Sequence, residues 1–149
     1  MTKFILDTNC FIAAARSDEA AASLEAFVQV AAPGLYLSTI VAAELTAGIK
    51  SAGDLRKLEK DVLKPYKKRG RIVTPSPASW EALGRTLVWL VKHEGMALRT
   101  TPKSFVFDIL IAHSCREVGA VLISSNERDF QRIRRVFSFE SSLPYPGVR

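Results

Sequence analysis

A chain of 149 residues with 48% hydrophobic and 24% charged content is expected to fold as one soluble domain, neither disordered nor fibrous. Twenty-one Lys and Arg against 15 Asp and Glu leave a formal charge of +6, which favours a polyanionic partner. No stretch nears the ~18 apolar residues of a membrane span, no leader peptide is visible, and Cys10 and Cys115 lack zinc or disulfide-framework spacing, so a cytoplasmic protein without a membrane partner is expected.

Phe4, Ile5 and Leu6 read as a strand buried on both faces, and Asp7 falls at its carboxyl end. An Ala-rich helix follows over 9–15. Asp18 is expected to cap a second over 19–31, closed by Pro33-Gly34. Residues 35–38 form a second strand, and Thr39 is the expected cap of a helix over 41–50 that carries Glu44. A charged helix over 55–68 precedes a third strand at 71–73. Pro75-Ser76-Pro77 is loop, and a helix over 79–93 turns Trp80, Leu83, Leu87 and Leu90 inward. After a polar connection at 95–102, the expected flexible loop, residues 103–118 make a helix bearing Asp108 and ended by Gly119. Residues 120–123 are the clearest buried strand. A turn with Ser124, Ser125 and Asn126 leads to a helix over 128–135, and 136–139 are expected as a last short strand. This alternation predicts an α/β fold, a mostly parallel sheet of four to five strands flanked by helices on both faces, in a single domain over 1–149.

Asp7 and Asn126 both lie just past strand ends, and if those strands are neighbours the two turns flank one crevice. Glu44 and Asp108 sit on helices able to present carboxylates to it. Asp108 stands among apolar neighbours with no opposite charge at helical spacing. Three carboxylates and an amide oxygen form a hard, oxygen-only donor set suited to Mg²⁺ or Mn²⁺ rather than zinc. In a basic protein that set suits phosphodiester hydrolysis. Without an ion the carboxylates repel one another, and one should titrate high. Taken singly each position has a plainer role: Asp7 as a helix cap, Glu44 as a surface residue, Asn126 as a turn residue. The four together carry the inference.

Other chemistries find no support. No Gly-rich phosphate loop or dinucleotide fingerprint is present, His93 and His113 lack partners at ligand spacing, and no nucleophile turn accompanies a Ser-His-Asp set. Of the basic runs, the one over 128–135 adjoins the crevice, which makes Arg128 and Arg132 the candidates for nucleic-acid contact.

Four segments in order, Ile5-Leu6-Asp7-Thr8-Asn9, 37–45 around Glu44, Phe107-Asp108-Ile109-Leu110-Ile111-Ala112 and 121–130 around Asn126, give the chain a resemblance to the PIN-domain superfamily, and within it to VapC-type toxin ribonucleases. The resemblance implies a Rossmann-like fold and metal-dependent RNA cleavage. It implies Asp7, Glu44 and Asp108 as the family's acidic positions, with Asn126 at a fourth that is Asp in other members. Thr8 and Ser124 match positions that support the metal site, and Asp129 could compensate for the neutral fourth position. Implied partners are RNA, a second copy of the chain and a small antitoxin whose tail enters the groove. Two rivals are a PIN domain that binds or processes RNA without being a toxin, and a receiver-type phosphorylation domain. The latter lacks both an acid beside Asp7 and a lysine after the last strand.

Overall fold

In a computed structural model, which describes residues 1–148, β1 (Lys3–Leu6) lies at the centre of a five-stranded sheet ordered β3-β2-β1-β4-β5. Every pairing is parallel, between β2 (Leu35–Ser38), β3 (Ile72–Val73), β4 (Ala120–Ile123) and β5 (Ser141–Ser142) and their neighbours. The chain builds β1, β2 and β3 outward on one side, then crosses to β4 and β5 on the other. The switch point therefore falls between β1 and β4, where Leu6 pairs with Ile123. That register sets Asp7 beside Ser124 immediately beyond the strand ends.

Alternation along β1 sends Phe4 and Leu6 to one face with Phe27, Leu35 and Ile123. Ile5 goes to the other with Val41, Leu90, Ile109, Leu110 and Leu122. Two tight positions make the centre possible. A Cβ on Gly34 would stand 2.1 Å from the Thr2 carbonyl oxygen, so only glycine lets β2 begin so close to β1. Gly119, at φ +68°, closes a helix and turns the chain directly into β4.

The helices follow the sequence pattern with corrections at their ends. α1 (Thr8–Arg16) starts on Asp7, and α2 (Asp18–Ala31) is capped by the Ser17 hydroxyl, so Asp18 is its first residue rather than its cap. Likewise Ser38, not Thr39, caps α3 (Thr39–Ala47), which stops at Gly48 instead of reaching residue 50. α4 (Ala52–Leu58) passes through a π turn (Glu59–Leu63) into α5 (Lys64–Lys68). Pro65, which has no N–H to donate to the preceding turn, accounts for the widened ladder there.

α6 (Pro77–Glu94) begins within the stretch expected as loop, because Pro77 suits a first helical position and Ser76 caps it. Its inward face is Leu83, Thr86 and Leu90. Trp80, expected inside, is 55% exposed because its helical phase points it away from them. α7 (Lys103–Val118) matches its expected bounds, and α8 (Glu127–Arg134) follows β4. The last strand is not at 136–139: Phe139 fills the core from coil, and the edge strand forms at Ser141–Ser142 through backbone bonds to β4. Among the described residues no helix is long and apolar enough to cross a membrane.

Candidate active site

Asp7 is the hinge of the cleft. One carboxylate oxygen accepts the Thr8 N–H at 2.8 Å, capping α1. The other accepts the Ser124 hydroxyl at 2.7 Å and the Asn9 amide at 3.2 Å. Capping is thus half of what Asp7 does, and its second oxygen ties β1 to β4. It is only 4% exposed. Burial pushes its pKa above the usual carboxylate value, against the pull of the Ser124 and Thr8 hydrogen bonds.

Ser124 is saturated. Its hydroxyl donates to Asp7 and accepts from Asn9 Nδ2 at 2.9 Å and from the Asn126 N–H at 3.0 Å. Glu44, half-buried on α3, accepts the Thr8 hydroxyl at 2.9 Å. Its pKa is raised by burial and by the Asp7 charge. One short α1 turn thereby holds two acids, Asp7 through the Thr8 backbone and Glu44 through its side chain.

Asp108 reaches the cleft from the middle of α7. It is 7% exposed, and its pKa is pushed up to about 8 by burial and by the charges of Asp7, Glu44 and Asp129. A partial relief is the Asn126 amide, whose Nδ2 donates to Asp108 at 3.2 Å and to Asp129 at 3.0 Å. The NH₂ group stands between two carboxylates, where positive polarity is wanted. No cationic side chain forms an ion pair with Asp7, Glu44, Asp108 or Asp129 among the described residues.

The sequence matches the PIN-domain family over residues 4–136, nearly the whole chain. The chain belongs to the PIN-domain family. No curated protein matches it. Among solved structures this PIN domain is similar in fold to a chain of DNA-bound VapBC from Salmonella typhimurium, at 20% identity and TM-score 0.68, over 97% of this chain and 100% of that one. It is also similar to a chain of FitAcB from Neisseria gonorrhoeae (18% identity, TM-score 0.65, 95% and 97% covered). A third is in VapBC-1 from nontypeable Haemophilus influenzae (20% identity, TM-score 0.65, 95% and 97% covered).

PIN nucleases generally use a divalent metal. Here the donors fit a hard cation in kind, all oxygen and short of positive charge. Yet among the described residues no three acidic, His or Cys side chains are drawn together tightly enough to hold an ion as they stand. The acids ring the cleft of this PIN domain rather than meet at a point.

The structure thus gathers Asp7, Thr8, Glu44, Asp108, Ser124 and Asn126 around the carboxyl ends of the central strands β1 and β4. It separates the two arginines expected to contact nucleic acid. Arg128 is exposed at the start of α8. Arg132 is bound to Glu94 at 3.0 Å and lies over the Phe105 ring, with Arg135 on the other oxygen of Glu94 at 2.8 Å. Arg132 is therefore a tie between α8 and α6. One site residue escapes sequence reasoning: Asn9, which also accepts the Ser125 N–H at 3.3 Å, bridges positions more than a hundred residues apart. Asp129, named from the sequence as an acid to offset the neutral Asn126, accepts from the Asn126 amide, in keeping with their three-residue spacing.

Proposed function

We propose that this PIN domain is a Mg²⁺- or Mn²⁺-dependent endoribonuclease, with residues 1–149 acting as one nuclease domain. The observation that carries this is the cleft's uncompensated charge: Asp7 and Asp108 are buried beside Glu44 and Asp129 with no cationic partner. Such a cleft calls for a cation, and the basic remainder of the chain suits a polyanion. When bound, the ion supplies Lewis acidity at the phosphate and acidifies the attacking water.

Asp7 and Asp108 would hold the ion directly. Glu44 would hold it directly or through water, and its oxygen not bonded to Thr8 would be available to orient the nucleophile. Asn126, whose amide donates to Asp108 and Asp129, would be the fourth ligand through its carbonyl oxygen. Thr8 and Ser124 keep Glu44 and Asp7 in place. Arg128 remains free to meet a phosphate at the cleft edge.

The likeness to VapBC and FitAB assemblies supports a toxin of a toxin-antitoxin pair, acting as a homodimer. Its inhibitor is then a small antitoxin. A guanidinium on the antitoxin tail replaces the cation's charge among the acids.

The test is cleavage of RNA by purified protein with Mg²⁺ or Mn²⁺ and its loss with chelator. Asp7→Asn and Asp108→Asn should each abolish cleavage with an unchanged circular dichroism spectrum. Wild-type rates from both variants would overturn the assignment, and tight RNA binding by the wild type without turnover would favour a non-catalytic PIN domain.

A further inference from the structure

On the flank of α6 and α7 away from the acids lies a depression of about 710 Å³. Arg85 and Arg116 border it, and neither has an ion-pair partner among the described residues. Its floor carries His113, stacked on Phe137 at 3.7 Å between ring centroids, with Thr86 bonded to the His113 Nε2 at 2.9 Å. Glu117, the one acid at the rim, is already engaged by the Ser76 and Ser79 hydroxyls at 2.7 and 2.6 Å. Arg116 lies over the Phe137 ring, 6.0 Å from its centroid, and both guanidinium groups are left without a carboxylate at the border of an aromatic floor.

The geometry points to a nucleotide-binding subsite here, in which Arg85 and Arg116 clasp a backbone phosphate and the His113–Phe137 stack receives the adjoining base. Guanidinium forks match phosphate oxygens, and stacked rings accept any base. Both arginines act on His113, whose pKa burial and their charges lower to about 4, so the ring stays neutral and adds no fixed charge of its own.

A physical need accompanies the site. The acidic cleft repels the phosphates it is proposed to cut, and Arg132 and Arg135 are committed to Glu94. Attraction for the strand must come from elsewhere. Arg116 lies eight residues past Asp108 on α7, an axial rise of about 12 Å, or a few nucleotides of extended strand. The inference rests on the RNA reading of the cleft: one strand would cross from the subsite to the acids.

The experiment measures binding of a 12-nucleotide RNA in chelator, so that no cleavage intervenes, and cleavage of that RNA with Mg²⁺. The double variant Arg85→Ala/Arg116→Ala should weaken binding about tenfold and lower the salt-dependence slope by about 0.7, the share of one phosphate contact on a single strand. Cleavage of the 12-mer should show a raised KM with kcat retained, and a trinucleotide too short to span should be cut at the wild-type rate. Lys67→Ala/Lys68→Ala removes the same charge from the exposed end of α5 and should do much less. Adenosine monophosphate, tested by perturbation of the His113 ring signals, separates a site for free nucleotide from one that needs the chain. Perturbation by the mononucleotide with no effect of the double variant on RNA would overturn the strand-binding role. Equal loss from both double variants, or none from the arginine pair while the wild type cleaves, overturns the subsite and leaves the nuclease reading standing. No RNA binding and no cleavage by the wild type overturns both.

Discussion

Asp108 is the residue on which the electrostatics of the cleft converge. Its folded pKa, about 8, lies above the unfolded value of 3.8, so the folded protein is favoured by the protonated form. That contribution is fully present below pH 3.8 and is lost as pH rises toward 8. Asp108→Asn cannot ionise. In metal-free buffer it should be more stable than the wild type by on the order of 2 kcal/mol at pH 8, and melt higher, allowing for screening at a site that is not wholly sealed. Saturating Mg²⁺ should narrow or reverse the order, since the ion stabilises the form that binds it better. Melting curves at pH 4 and pH 8, with and without Mg²⁺, check both arms. Asn126→Asp should act in the opposite sense: a further charge beside Asp108 and Asp129 lowers metal-free stability at pH 8 by about 1 kcal/mol while tightening Mg²⁺ binding. Titration calorimetry of that variant would show it, and unchanged affinity would argue against Asn126 as a ligand position.

At the scale of elements, α7 carries two groups that burial keeps neutral in opposite senses. His113 has a folded pKa of about 4 against 6.5 unfolded, so its contribution is complete above pH 6.5 and fades as pH falls to 4. Asp108 runs the other way over an overlapping range. In the wild type the two slopes oppose between pH 4 and 6.5, and above that only Asp108 of this pair continues to titrate. His113→Gln should leave a stability that declines steadily from pH 4 to 8. Asp108→Asn should leave one that rises to about pH 6.5 and then levels. Denaturant midpoints across that range distinguish the profiles. α8 gives a separate expectation. Glu94 ties it to α6 through Arg132 and Arg135, ion pairs partly open to solvent and worth under about 1 kcal/mol each. Glu94→Gln should therefore change the melting temperature little. Cleavage should fall several-fold, because Asn126 and Asp129 ride on the element it fastens.

Over the whole molecule, what could be read from sequence divides by the kind of signal. The buried strand 120–123 and the solitary acid of α7 were legible because apolar patterning reports burial along a continuous segment. β5 was not, since its polar pair Ser141–Ser142 becomes a strand only by backbone bonding to β4, which side-chain pattern does not record. Trp80 was misplaced by helical phase. The Arg132–Glu94 pair was not legible, because a basic run does not disclose that Glu94, far off in sequence, stands opposite. The acids of the cleft were visible as residue types at strand and helix positions. The network that sets them, Asn9 to Ser124 to Asp7, was not, because the bonds that tie Ser124 to Asn9 and to Asp7 cross the switch point. Charge is divided at this scale too, with a basic body around an acidic slot. RNA affinity should fall steeply with salt, whereas Mg²⁺ affinity should fall mainly by competition at the slot. Parallel salt titrations of the two ligands would show the difference.

The pairing of Leu6 with Ile123 has a temporal consequence. During synthesis Asp7, Glu44 and Asp108 all leave the ribosome before the strand that braces them, and Ser124 and Asn126 follow after it. Until then Asp7 has no β4 beside it and Asp108 has no amide to face. A nascent chain halted before residue 120 would carry three of the acids and no assembled cleft. The order of the sequence itself therefore delays assembly of the cleft until β4 and the turn after it have been made.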